Sequence, residues 1–385
     1  MTARVDTNLY PDLQRFGATD ISACYNCGVC TAICPLSVDG ASFPRRMSRY
    51  AQLGLREKLL ASPELWSCYG CSECTDSCPT KADPASFMAA ARRYAVASYD
   101  RTHLAYLLAT SKLFAGVFVV ALVGLLAAFM YSVHKPVDGS TLAFFEFVPS
   151  DVIHNLGVVA MAIMGVAALV GLIEMVRRVL RGPKVGAART TLGRVAGAAV
   201  YAVGTESLAQ TRFRKDCADA TESGDAAPTR PWYSQRWFIH FATMWGFLGL
   251  LGATMADYGL ELLGIKAVGT AVPIWYPVRL LGTLAGALLI YGTTVLIVRR
   301  LRKSDRSSVH STTSDWMFLT MLWVAGVSGF VLELGLYLPQ APAWGYPMFL
   351  LHVGVAMALV LLVPFGKFAH VLYRPVALFA IRLRG

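Results

Sequence analysis

"CYNCGVCTAICP" occupies residues 24–35, and "CYGCSECTDSCP" occupies residues 68–79. Both read C-x2-C-x2-C-x3-C-P: Cys24, Cys27, Cys30 and Cys34 before Pro35, then Cys68, Cys71, Cys74 and Cys78 before Pro79. Three thiolates at steps of three wrap one [4Fe–4S] cube, and the fourth cysteine of such a run ligates the other cube. The expected ligand sets are therefore crossed. Cluster I takes Cys24, Cys27, Cys30 and Cys78, and cluster II takes Cys68, Cys71, Cys74 and Cys34. The proline after each fourth cysteine ends the turn, because it has no backbone N–H to donate. A zinc ribbon would use two separated C-x2-C pairs instead. Disulfides would accompany export, and residues 1–20 carry no apolar stretch after a basic start.

Between the motifs, "SFPRRMSRYAQLGLREKLL" (42–60) reads as a helix whose Arg45, Arg46, Arg49 and Arg56 face solvent or an acidic partner. After Pro84, "ASFMAAARRYAVASY" reads as a second helix leading toward a membrane. Cys217, the ninth cysteine, stands alone in a polar stretch and reads as an incidental thiol.

The chain is 55% hydrophobic with a positive mean hydropathy, so most of it past residue 110 is not an ordinary soluble domain. Apolar stretches long enough to cross a core about 30 Å thick fall near 113–131, 154–176, 237–256, 278–298, 316–337 and 348–371. The expected fold class is an all-α membrane protein: a six-helix cytochrome b-type bundle at 111–385 behind an α-helical ferredoxin-like dicluster domain at 1–110. Six crossings put both termini on one side. The loop 177–236 carries eleven Lys/Arg, the loop 299–306 five and the tail after Gly366 four, whereas the other three loops hold only Lys135 and Lys266. By the positive-inside rule the termini and the cysteine domain are cytoplasmic, in a bacterial inner membrane. The net charge of +11 sits beside these spans and is no sign of nucleic-acid binding. Trp237, Trp275, Tyr276, Trp316 and Trp344 fall near the expected interfaces with lipid. Within the long loop, 191–208 reads as a weak amphipathic helix on the membrane, and 215–230 as a polar, flexible segment.

Four of seven histidines fall on spans: His154, His240, His352 and His370. Ionisable residues there need a reason. His352 and His370 are 18 residues apart, five turns of one helix, which would place them on one face about 27 Å apart. Depth pairs His370 with His240 near the inner surface and His352 with His154 near the outer. Neutral imidazoles on facing helices suit axial ligation of two haems b. A kink at Pro364 in the sixth span would alter the phase between His352 and His370. His103, His134 and His310 lie outside the spans and receive no ligand role.

On these motifs, residues 1–110 resemble the C subunit of heterodisulfide reductase. Residues 111–385 resemble the E subunit of that enzyme and the haem b (gamma) subunit of respiratory nitrate reductase. The fusion of both halves resembles the C subunits of quinone-interacting membrane-bound oxidoreductases (Qmo). That resemblance implies flavin and iron–sulfur partner subunits of the Qmo A and B type, menaquinone as substrate, and adenylylsulfate reductase as a soluble partner in sulfur-compound respiration. In the nitrate reductase type, one helix supplies partners to both haems. Here the third span has His240 alone, with Leu250 and Ala253 further along, so His154 is taken as the outer substitute. No CCG-type cysteine motif is present, so a disulfide-reducing site is not expected.

The expected function is electron transfer between quinone and cytoplasmic partners through two [4Fe–4S] clusters and two haems b. Arg279 and Glu333, ionisable residues at span ends without an obvious partner, are the quinone-site candidates. Rival readings are the membrane anchor of a heterodisulfide reductase-like complex, a tethered ferredoxin without quinone chemistry, and a redox-driven ion pump. A pump needs polar residues at mid-membrane, and the span centres are nearly free of Asp, Glu and Lys. Protease added to right-side-out vesicles should leave residues 1–100 intact; cleavage from outside would reverse the topology.

Overall fold

The computed structural model describes residues 4–19, 21–37, 42–138, 141–181, 191–216, 230–270, 272–304 and 311–384. Cys217, His310 and most of the polar segment expected at 215–230 lie outside the described residues. All regular elements among the described residues are helical. The cysteine domain holds α1 (Leu9–Arg15), α2 (Val29–Ala32), α3 (Arg45–Gln52), α4 (Arg56–Leu60), α5 (Glu73–Asp76) and α6 (Pro84–Tyr99), with α7 (Leu104–Thr110) as the link. Asp83 starts α6 by accepting from the Ser86 amide at 3.2 Å, and Pro84 supplies a first-turn residue that needs no hydrogen bond.

Then come α8 (Lys112–Ser132), α9 (Phe144–Phe147), α10 (Ser150–Arg181), α11 (Leu192–Ala199), a π-helical stretch (Val200–Leu208), α12 (Thr211–Asp216), α13 (Arg236–Leu262), α14 (Pro277–Arg302), α15 (Thr313–Gly335), α16 (Gly345–Leu362) and α17 (His370–Arg384). Among the described residues, six helical segments are long and apolar enough to cross a membrane: α8, α10, α13, α14, α15 and Gly345–Phe365. Leu113, Val120 and Leu125 on α8 and Val166 on α10 point outward, the apolar exterior that hydrocarbon surroundings permit. In order around the bundle, α13 packs on α14, α14 on α15, α15 on α16, and α16 on both α8 and α10. The α13–α14 approach is the closest of these. At Gly246 an added Cβ would lie 2.5 Å from the Leu289 amide nitrogen, so only glycine permits that crossing.

The last span departs from the expected continuous helix over 348–371. Helix α16 ends at Leu362, short 3₁₀ turns follow at Val363–Phe365 and Lys367–Ala369, and His370 opens α17. Pro364 has no N–H for the Val360 carbonyl and its ring crowds that turn, which explains the break. His352 and His370 therefore do not share one helix face, and the five-turn argument does not hold. The 191–208 segment is helical, as expected, but its buried Ala198 and Ala202 face protein: α11 and the π-helical stretch pack on α17.

The cysteine domain is not a separate ball. One apolar core runs from Leu9, Phe16, Met47, Trp66, Phe87 and Tyr99 into Met175 and Val179 of α10 and Ala369, Tyr373 and Ala377 at the chain's end. Tyr373 is its keystone, 1% exposed, with Trp66 at 5.1 Å and Tyr99 at 5.3 Å between ring centroids. Its hydroxyl lies over Gly171, where any Cβ would overlap it. Ion pairs frame this contact: Arg101 with Glu174 at 2.8 Å, and Arg178 with Glu57 at 3.5 Å. A second group, Arg93 of α6 at 3.6 Å from Asp315 of α15, includes Lys367 on the same carboxylate. Asp315 also caps its own helix through Thr312. Replacing Gly171 with Val should force Tyr373 out of its notch and cost about 1–3 kcal/mol. Lower thermal stability and faster proteolysis near residues 100–110 are the expected readouts.

Candidate iron–sulfur and histidine sites

The two cysteine turns have the same backbone design. Asn26 (φ 61°) and Gly28 (φ 94°) are left-handed in the first motif, and Gly70 (φ 67°) and Ser72 (φ 74°) hold the equivalent positions in the second. Left-handed residues alternating through each turn bend the chain back on itself. The Asn26 amide then donates to Cys24 Sγ, and the Gly70 amide to Cys68 Sγ, each at 3.4 Å. The short helices α2 and α5 carry the third cysteine of each run, Cys30 and Cys74.

Two cavities result. One of about 440 Å³ is lined by Cys68, Cys71 and Cys74 with Cys34 of the other motif. One of about 310 Å³ is lined by Cys24, Cys27 and Cys30 with Cys78, and by Arg45. Each gathers three thiols from one run and the fourth from the other, a donor set that suits a [4Fe–4S] cube. Burial pushes the Cys34 thiol up to about 11, and neighbouring Cys68 and Cys71 add to the rise. Burial also raises Cys30 and, most of all, Cys74. Cys78 moves the other way: burial raises it, but the Thr80 hydroxyl and the amides of Ala82, Thr80 and Lys81 outweigh that. Bound cationic metal would hold such buried thiols as thiolates.

The histidines fall into unequal groups. His240, in the first turns of α13, and His370, the first residue of α17, have ring centroids 6.4 Å apart. Two imidazoles bonded to one metal through nitrogens at about 2.0 Å would place their centroids roughly 6 Å apart. The other nitrogen of each ring is engaged: His370 Nδ1 with the Lys367 carbonyl at 2.7 Å, His240 Nδ1 with Gln210 Oε1 at 3.1 Å. Acceptors on Nδ1 fix the tautomer that leaves Nε2 free as a ligand. The residues thus fit a six-coordinate haem iron.

His352 is held the same way, Nδ1 to Ser328 Oγ at 2.9 Å, with Gly329 against its ring. His154 stacks on Tyr258 at 4.2 Å. Among the described residues no ring contact joins His154 and His352. His134 stacks on Tyr131, and His103 precedes α7.

Arg279 and Glu333 are not partnerless, as expected from sequence, but paired with each other. Arg279 Nε lies 3.4 Å from Glu333 Oε1, Thr283 donates to the same oxygen at 3.3 Å, and Arg279 also reaches the Tyr337 hydroxyl at 2.9 Å. Their separation of 54 positions hid this from sequence reading.

Residues linking the two kinds of site were not foreseen either. Arg236, one turn before His240, donates to the carbonyls of Gly70 at 2.8 Å and Cys71 at 3.4 Å. Tyr69 contacts Phe213 at 5.6 Å, and Phe213 contacts His240 at 5.7 Å. Arg374 lies over the Tyr69 ring at 5.1 Å. The four-residue spacing of Arg236 and His240 was the one available signal. The cavity of Cys34, Cys68, Cys71 and Cys74 is therefore the one nearer the histidine pair.

Comparison with known proteins agrees with this division. A 4Fe-4S dicluster domain matches residues 23–82, so the chain is an iron–sulfur protein joined to a six-helix, multi-pass membrane part. Residues 100–385 match the citrate utilization protein B family, and the chain belongs to that family. It is 32% identical to citrate utilization protein B of Escherichia coli over 142 residues, 36% of this chain and 35% of that protein. It is 25% identical over 157 residues to the E subunit of the dihydromethanophenazine:CoB–CoM heterodisulfide reductase of Methanosarcina mazei, 38% of this chain and 59% of that one. The Methanosarcina acetivorans counterpart is 24% identical over 58% of its length. The matches thus span less than two thirds of each of these relatives. No solved structure matches. These kinships support a membrane-bound electron-transfer component of a redox complex.

Crossed ligation has a direct check. Cys34→Ala should spare the cluster of its own motif and remove the one held by Cys68, Cys71 and Cys74, and Cys78→Ala should do the reverse. Iron and sulfide, about eight of each in the wild-type chain, should fall by half in either variant, with electron paramagnetic resonance identifying the survivor.

Proposed function

We propose that this chain carries electrons between a cytoplasmic redox partner and the quinone pool of a bacterial inner membrane, through two [4Fe–4S] clusters and two haems b. The observation that carries the reading is the His240–His370 pair, its Nδ1 atoms both engaged, with His240 on the helix whose first turn grips the cluster II loop through Arg236. A haem held there supplies one-electron transfer, and the protein's part is position and environment. Cys27 and Tyr25, the latter 83% exposed, put cluster I at the surface where a soluble partner reaches it. Cluster II stands between it and the imidazoles. Arg236, Lys367 and Arg374 face His240 and balance the carboxylates that a haem carries.

At the far end of the bundle, His352 is the ligand for the outer haem, with His154 as its second. Glu333 stands one helical turn beyond Gly329, the residue against the His352 ring. With Arg279, Thr283 and Tyr337 it forms a polar group suited to menaquinone: guanidinium and hydroxyl donate to a quinone oxygen, and the carboxylate accepts a quinol proton. The shared core around Tyr373 weighs against a merely tethered ferredoxin.

For the soluble side, the fused halves favour Qmo-type flavin and iron–sulfur subunits, with adenylylsulfate reductase beyond them. The family match favours a second reading, a partner that takes part in citrate utilization. Co-purification of the complex, followed by assay with sulfite plus AMP and with citrate-like acids as donors, separates the two.

His370→Ala and His240→Ala should each remove the same haem and leave the other, with both clusters intact. Quinol should then still reduce the remaining haem but no longer the clusters. His352→Ala should remove the outer haem and quinol reduction together. A reduced-minus-oxidised spectrum without a haem band in the wild-type chain would refute the reading.

A further inference from the structure

We propose that Gln210 is a positioning residue for His240, and that the segment Val200–Asp216 tunes the inner haem while bridging it to cluster II. The inference rests on the haem reading above. Gln210 lies between the π-helical stretch and α12, left-handed at φ 52° and 3% exposed. Its side-chain amide is held at both ends by α13. Nε2 reaches Met244 Sδ at 3.3 Å, and Oε1 meets His240 Nδ1 at 3.1 Å. A thioether sulfur carries no hydrogen and only accepts, so the NH₂ end belongs on Met244 and the carbonyl end on the imidazole. That orientation requires a proton on Nδ1 and leaves Nε2 unprotonated, the tautomer that a ligand to iron needs.

The same segment is fastened to the cysteine domain. Tyr69, next to Cys68, donates to Glu206 Oε2 at 3.4 Å. Arg212 donates to the Tyr201 hydroxyl at 3.2 Å and to the carbonyl of Pro35, next to Cys34, at 3.4 Å. Phe213 stands between the Tyr69 and His240 rings. The Trp245 indole donates to the Leu208 carbonyl at 3.2 Å, closing the segment onto α13. Seventeen residues of what reads as an interfacial loop thus touch two cluster II ligand turns and an imidazole. His370, by contrast, leans on a backbone carbonyl that no side-chain change removes. Gln210 is the adjustable member of the pair.

An acceptor on Nδ1–H makes the imidazole a stronger donor to iron and favours the ferric state. Gln210→Glu strengthens that acceptor, while Arg236, Lys367 and Arg374 are the cations facing His240. Gln210→Leu removes it. The test is an optical redox titration of the full chain with its partner subunits in detergent. Gln210→Glu should lower the midpoint of the haem that His370→Ala abolishes, and Gln210→Leu should raise it. Each should move the ferric-to-ferrous ratio at fixed potential about tenfold, or about 59 mV for one electron. The other haem and both clusters should stay unmoved. Met244→Leu, which frees the amide without removing it, should shift the same haem upward by less and keeps the test available if a Gln210 variant does not assemble. Shifts of the same sign in both Gln210 variants, or full haem with unmoved midpoints, would overturn the role of Gln210 alone. Absence of haem from the wild-type chain would overturn the underlying haem assignment instead.

Discussion

The Arg236 guanidinium, clasping the carbonyls of Gly70 and Cys71, sets the register between the second cysteine turn and the helix that carries His240. Carbonyls in a thiol-lined turn have few partners of their own, and a planar cation satisfies two at once. Because Arg236 opens the helix that presents His240 one turn later, the contact also fixes how far the imidazole stands from the turn. Rate in electron transfer is largely a matter of distance, so a structure that relaxed here would lose function before it lost its fold. The other interdomain contacts, Tyr373 in its Gly171 notch and Arg93 on Asp315, keep that register from drifting.

The broken end of the sixth span serves the same purpose. A continuous helix through His370 would continue along the bundle axis. The interruption around Pro364 ends that direction, lets Lys367 reach Asp315, and starts a helix whose first residue is the second imidazole. Three residues on, Tyr373 enters the cysteine-domain core. One turn of α17 therefore couples the membrane part to the cluster part.

Local signals in the sequence were the informative ones. Eight cysteines at fixed steps and six apolar runs need only spacing and composition, and the helical fold follows from them. The inner histidines were matched by depth, which survives a bend. The claim that His352 and His370 share a face needed an unbroken helix, and Pro364 removes it. Gln210, Tyr69 and Phe213 were illegible because their meaning lies in contacts between distant parts of the chain, Gln210 with His240 and Tyr69 with Glu206 and Phe213. Arg279 and Glu333 looked solitary for the same reason.

The shared core also has a consequence for biosynthesis. Residues 9–99 leave the ribosome well before the surface they bury against, Ala369 to Ala377. At 5–20 residues per second the interval is on the order of tens of seconds. Throughout it Trp66 and Tyr99 lack the Tyr373 ring, and the cysteine turns lack the Arg236 clasp until α13 has emerged. The cysteine domain is therefore made before the membrane part yet completed only after it, its packing waiting on residues about 270 positions further along the chain.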